Sequence, residues 1–209
     1  MTEVQEDKLV VYSDYVCPFC YLGKASMEEY LKETDKDIDV EWRVFDLRGY
    51  KRNPDGSIDD SVEDGKDDAY FEQVRENVKK LKDRYGVEMT LDFSVDVDSW
   101  NAQKASIYVK REHRDKFDDF HEAVFDALWE GGRDIGDVDV LAEIGDSVGL
   151  DPDEIRSAVG DEELEDELKS RFEQAQQKGI RGVPAFIYDQ HVATGAIPPH
   201  QFERLVEGT

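Results

Sequence analysis

Apolar residues along this chain follow two different periods, and the change between them divides it. Near the start, Leu9-Val10-Val11-Tyr12 is a short apolar run, the pattern of a buried strand. A helix is expected after it, over about Cys17 to Lys32. Ile38, Val40, Trp42 and Val44 then alternate with Asp39, Glu41 and Arg43, a period of two that predicts a second strand. From there the period lengthens. Phe71, Val74, Val78, Leu81 and Tyr85 recur at three and four, as one face of an amphipathic helix does. Phe117, Phe120, Val124 and Leu128 form another such face, and Leu141, Ile144 and Val148 a third. Asp151-Pro152-Asp153-Glu154 reads as a helix start: a capping aspartate, proline at the first position, glutamate at the third. Leu164, Leu168 and Phe172 mark a longer helix ending near Gly179.

Strands return at the end. Val183 to Tyr188 is short, apolar and partly β-branched, and Asp189-Gln190 can turn it into His191-Val192-Ala193-Thr194. Gly195 breaks that strand, and Pro198 or Pro199 opens a last helix carrying Phe202, Leu205 and Val206. Pro184 near a strand start needs a reason, because proline donates no ladder bond. A cis Val183–Pro184 bond is one; a trans proline at a sheet edge is the commoner one. Between Arg48 and Asp67 a polar stretch with Asn53-Pro54-Asp55-Gly56 reads as a turn in a flexible loop.

The chemistry is concentrated in Cys17-Pro18-Phe19-Cys20, which holds the only two cysteines among 209 residues. Two thiols at this spacing close a small disulfide ring, or form a mixed disulfide at one sulfur that the other resolves. Cys17 falls at the start of the expected helix, where the dipole favours a thiolate, and Pro18 suits the first turn. Cys17 is therefore the expected nucleophile, and Cys20, one turn deeper, the resolving thiol. Half a zinc site is the competing reading, but it needs a second pair of ligands. The four histidines are scattered, so no metal is expected.

Charge changes the picture of partners. The chain carries 51 acidic against 26 basic residues, a formal net charge of −25, which disfavours nucleic acid and anionic membranes. A site for cationic partners, or a nucleic-acid mimic, is one reading. The even spread of the acids favours another, adaptation to a high-salt cytoplasm where repulsion is screened. Met1 to Lys8 is polar and acidic, and no run approaches the roughly 18 apolar residues of a membrane span. A cytoplasmic protein is expected, in which a CxxC pair is catalytic rather than a permanent staple.

In order along the chain, Asp14 with Cys17-Pro18-Phe19-Cys20-Tyr21, Trp100-Asn101-Ala102, Phe125-Asp126-Ala127-Leu128-Trp129 with Gly132-Arg133-Asp134-Ile135, Gly179 to Pro184, and Gly195-Ala196-Ile197-Pro198-Pro199 together resemble a known family. It is the DsbA-like branch of the thioredoxin superfamily, with its FrnE-type members and the related 2-hydroxychromene-2-carboxylate isomerases. The resemblance implies a cis Pro184 packed beside the CxxC, with the Val183 backbone pairing with an extended substrate. It also implies dithiol chemistry, since the isomerases typically have serine where Cys17 stands and use glutathione. Phe19 replaces the histidine of strongly oxidising members, which implies a less oxidising couple. Asn101 matches a position near the active site in that family; it orients a substrate or thiolate, or simply caps its helix. Asp14 either disfavours a thiolate at Cys17 or satisfies local backbone.

The remaining candidates read as structural: His121 beside a core face, Phe125 and Trp129 as core, Arg133-Asp134 as a local ion pair. The expected protein is α/β, a thioredoxin fold (1–66 and 161–209) with a large all-helical insertion (67–160). It exchanges disulfides with protein or small-molecule thiols. Cys17 and Cys20 react; Val183, Pro184, Pro18, Phe19, Asn101 and Asp14 shape the substrate site. No cofactor is expected beyond glutathione or another small thiol as co-substrate. The rivals are a thiol-dependent isomerase or transferase of a small aromatic or polyketide substrate, and a non-catalytic binding module.

Overall fold

The computed structural model describes residues 7–62, 65, 67–91 and 97–208. Most of the N-terminal polar stretch, residues 1–6, lies outside them. The chain begins with β1 (Lys8–Ser13), α1 (Pro18–Glu33) and β2 (Asp39–Val44). Five helices in succession come next: α2 (Asp68–Tyr85), α3 (Trp100–Glu112), α4 (Phe117–Trp129), α5 (Val138–Ser147) and α6 (Pro152–Gly160). It closes with α7 (Glu162–Gln177), the hairpin β3 (Ala185–Tyr188) and β4 (His191–Thr194), and α8 (Pro199–Glu207). This is a DsbA-like thioredoxin fold, and the strands and helices read from the sequence coincide with observed elements.

The sheet runs β2-β1-β3-β4. β1 and β2 are parallel, with Val11 beside Trp42, while β3 is antiparallel to both β1 and β4. The parallel pair needs a crossover, and α1 supplies it. Alternation then sorts the faces. Leu9, Val11, Phe186 and Tyr188 pack with Met27 and Tyr30 of α1 and Phe202, Leu205 and Val206 of α8. Tyr12 and Ala185 pack instead with Ala175 of α7.

A second core fills the helical region. Phe117, Phe120, Val124, Phe125, Leu128 and Trp129 of α4 meet Leu141 and Ile144 of α5. Tyr15, Cys17, Cys20, Tyr21 and Leu22 belong to this same cluster. The dithiol segment is thus built into the joint between sheet and helices. Each fully buried Phe or Leu there contributes about 1.5–3 kcal/mol.

The acid excess has a local use at helix starts. Asp67, Asp137, Asp151 and Asp161 are N-caps, each accepting a backbone N–H of the first turn. One expectation needs correction. The polar stretch after Arg48 is not a free loop over its described part. It contains a short 3₁₀ turn, Gly49–Lys51, and a bridge between Arg52 and Ile58. Arg52 pins it, with only 6% of its side chain exposed, bonding Asp46 at 2.6 Å and Asp98 at 2.9 Å. Its guanidinium also lies 4.3 Å from the Trp100 ring centroid. Polarity suggested a loop, but these polar groups satisfy one another.

Candidate active site

β1 ends at Ser13, and Asp14 to Val16 carry the chain into α1. Cys17 is the N-cap of α1, with extended backbone (φ −91°, ψ 113°) and Pro18 in the first turn. Its carbonyl accepts from Cys20 N at 3.0 Å, and its own N–H donates to Asp14 O at 3.1 Å. The Cys17 side chain makes no capping bond, so the sulfur stands at the positive end of α1.

Both cysteines are free thiols, 3% and 1% exposed respectively. Cys17 Sγ donates to the carbonyl of Val183 at 3.6 Å. Burial, and then the neighbouring Cys17, push the Cys20 thiol well above its ordinary range. Cys20 is therefore held protonated behind Cys17.

Two other parts of the chain hold this geometry. The Val183–Pro184 bond is cis, and Pro184 is buried. Its carbonyl accepts from Gly195 N at 2.9 Å. The loop after Gly195 is anchored by Ser26 Oγ donating to Ile197 O at 2.6 Å and Tyr85 Oη donating to Ala196 O at 2.8 Å. On the other side, α4 clamps the cysteine segment. Trp129 Nε1 donates to Tyr15 O at 2.8 Å. Tyr21 Oη bonds Asp126 at 3.1 Å and Glu130 at 3.0 Å.

Pro18 and Phe19 are half-buried on α1, and half-buried Val183 meets the Cys17 sulfur. Asp14 is 1% exposed and acts on local backbone, accepting from Leu47 N at 2.8 Å and Val16 N at 3.3 Å. Burial raises its pKa to about 6 despite these bonds. Asn101 does not cap α3, whose N-cap is Ser99; its Nδ2 donates to Gly136 O at 2.8 Å. Arg133 pairs with Glu143, while Asp134 accepts from Gly136 N at 2.8 Å. The expected Arg133–Asp134 pair is replaced because Asp134 closes its own turn.

Sequence reasoning missed the clamping roles of Trp129 and Tyr21. Trp129 reads as core and Tyr21 only as part of the cysteine motif, and no local pattern says which groups a buried Trp N–H or Tyr hydroxyl will find. Among the described residues, no three His, Cys, Asp or Glu side chains gather as metal ligands do.

Residues 8–207 match the model of the DSBA-like thioredoxin domain. The chain belongs to this family. Among curated relatives, the uncharacterized protein YwbO of Bacillus subtilis is 30% identical over 197 residues, 94% of each chain. The 2-hydroxychromene-2-carboxylate isomerase of Sphingobium xenophagum is 25% identical over 194 residues, 88% of this chain and 90% of its own. Among solved structures, a probable DsbA oxidoreductase of Streptomyces coelicolor superposes with a TM-score of 0.79 at 23% identity, covering 96% of this chain and 90% of its own. The DsbA-like fold is thus shared by proteins named for disulfide chemistry and for isomerisation.

Proposed function

We propose that this DsbA-like protein is a thiol–disulfide oxidoreductase using Cys17 as nucleophile and Cys20 as resolving thiol. The observation that carries the reading is the asymmetry of the pair. Cys17 Sγ sits at the helix N-terminus against the Val183 carbonyl, and Cys20 is buried behind it with its thiol held protonated. A Cys17 thiolate attacks a substrate disulfide, forms a mixed disulfide and releases one substrate thiolate. Cys20 then loses its proton and attacks the Cys17 sulfur. The Cys17–Cys20 disulfide forms and the second substrate thiol leaves, so the substrate gains two electrons. A small thiol such as glutathione, or a protein dithiol, restores the reduced pair. The half-buried Val183 peptide beside the sulfur suits an extended partner segment.

The isomerase reading has one observation in its favour, the 25% identical isomerase relative. Against it, the cavity bordered by Tyr15, Trp42 and His121 is lined by neither cysteine. We place the protein in a high-salt cytoplasm, on its charge of −25.

Insulin reduction with dithiothreitol tests the function. Cys17→Ser should abolish it, and Cys20→Ser should accumulate mixed disulfides seen as an adduct mass. Turnover surviving in Cys17→Ser would remove the proposal.

A further inference from the structure

Cys20 must lose a proton before it attacks Cys17, yet it is only 1% exposed. Ser13 is the last residue of β1 and shares the alternation of Leu9 and Val11, which pack against α1. It therefore faces the helix that carries Cys20. The Ser13 hydroxyl interacts with the Cys20 thiol and favours its charged form, a contact short of a well-formed hydrogen bond.

Ser13 also lines a cavity that neither cysteine lines. Three buried atoms lack a formed hydrogen bond among the described residues: Ser13 Oγ, Gln103 Oε1 and His121 Nε2. All three residues line this one space. Buried polar groups are nearly always bonded. The enclosed volume is about 30 Å³, room for one or two water-sized groups. Three polar partners are what a buried water takes.

The surrounding bonds set the direction of each partner. Gln103 Nε2 donates to Asp14 Oδ1 at 3.3 Å, Phe45 O at 3.1 Å and Ser99 Oγ at 3.0 Å, which leaves Oε1 as an acceptor. Burial, with Lys24 and Lys110 nearby, keeps His121 neutral. Tyr15 Oη lies 2.6 Å from both His121 Nδ1 and Ser106 Oγ. With the ring proton on Nδ1 donating to Tyr15, Nε2 is a second acceptor. The ring is fixed between Trp42, with centroids 4.3 Å apart, and Phe117 at 5.3 Å. A water there donates to Gln103 and His121 and keeps a lone pair for the Ser13 hydroxyl. Half-buried Arg43, Lys110 and Arg171 line the same space and bring it to the surface.

We propose that Ser13 is a catalytic residue of the resolving step: its hydroxyl relays the Cys20 proton to a cavity water held by Gln103 and His121, and is left donating to the sulfur that attacks Cys17. This deepens the disulfide-exchange reading and rests on it. As the proton leaves the Cys20 sulfur for Ser13 Oγ, the Ser13 proton passes to the water and on to solvent at the half-buried rim. The Cys20 lone pair forms the bond to the Cys17 sulfur. The bond from Cys17 to the substrate sulfur breaks, and its electron pair leaves on that sulfur. The departing thiolate takes a proton from solvent, so protons balance. Gln103 and His121 act through the water and are positioning residues.

Stopped-flow reaction of the reduced, intact chain with one equivalent of dithiobis(nitrobenzoate) separates the two steps. Attack by Cys17 releases one coloured thiol, and resolution by Cys20 releases the second. Ser13→Ala should slow the second release by about 100-fold or more and leave the first at its wild-type rate. Ser13→Thr, which keeps the hydroxyl, should restore most of the second. His121→Phe, which keeps a ring between Trp42 and Phe117 but no nitrogen, should also slow the second release alone. In the wild type the second release should be slower in heavy water and the first should not, a readout that needs no variant. A wild-type second release in Ser13→Ala, an equal slowing of both releases, or a second release indifferent to heavy water overturns the relay and leaves the exchange reading standing. A wild type that releases no coloured thiol, or no more than Cys17→Ser does, removes both.

Discussion

Gly23 lies so close beneath Pro184 that a Cβ on it would stand 3.1 Å from Pro184 Cγ and 3.1 Å from Phe186 Cζ. The glycine lets α1, which carries both cysteines, seat against the strand that follows the proline. In an exposed helix Gly→Ala stabilises by about 1 kcal/mol. Here the methyl must displace Pro184 or Phe186, and overpacking costs about 1–3 kcal/mol. Gly23→Ala should lower the melting temperature and slow insulin reduction several-fold with both thiols intact. A raised melting temperature with unchanged turnover would show that the contact does not position the site.

The two thiols should differ in reactivity. Cys20 is held protonated by burial and by its neighbour. Only a thiolate alkylates, so Cys17 should react with iodoacetamide at least about tenfold faster at neutral pH. Peptide mass mapping of a time course reads this directly. A faster Cys20 would reverse the assigned roles.

Asp14 gives a pH dependence of unusual sign. Its folded pKa of about 6 exceeds the ordinary 3.8, so the folded state holds this proton more tightly. Its contribution is most favourable below about pH 4 and is lost as pH rises through 6, a change of about 3 kcal/mol. Urea unfolding of wild type and Asp14→Asn in molar salt isolates it. Stability of wild type minus variant should fall between pH 4 and pH 7; a flat or rising difference contradicts the buried-carboxylate account.

Arg52 should matter more than its place in a polar stretch suggests. Removing one partner of a buried ion pair costs about 3–5 kcal/mol. Arg52→Met leaves Asp46, itself only 7% exposed, without its charge partner. A fall in melting temperature of roughly 10 °C is expected. A fall within about 2 °C would mean that this knot contributes little.

Salt should stabilise the protein strongly. Repulsion among an excess of 25 negative charges acts over roughly 10 Å at 0.1 M salt and roughly 3 Å at 1 M. Melting should move upward between these conditions by differential scanning fluorimetry, and an unchanged midpoint would end the high-salt reading.

The elements and the spacing of the two thiols were legible in the amino-acid sequence, because both are local. Alternation at Ile38 to Val44 and three-four spacing at Phe117 to Leu128 register which face is apolar, and each yielded the observed strand or helix. Cys17 and Cys20 sit within one helical turn, so their pairing needed no tertiary knowledge. The Pro184 isomer was open from its own segment; the order of motifs along the whole chain favoured cis, as found. Whatever depends on contacts between distant segments came from the packing of the folded chain. Trp129 reaches Tyr15 across 114 residues, and Arg52 reaches Asp98 across 46. His121 read as a structural histidine, but that its Nδ1 meets the Tyr15 hydroxyl, 106 residues away, was set by packing. Periodicity reports burial. It carries no information on which buried polar groups meet, because that is set by the packing of whole elements.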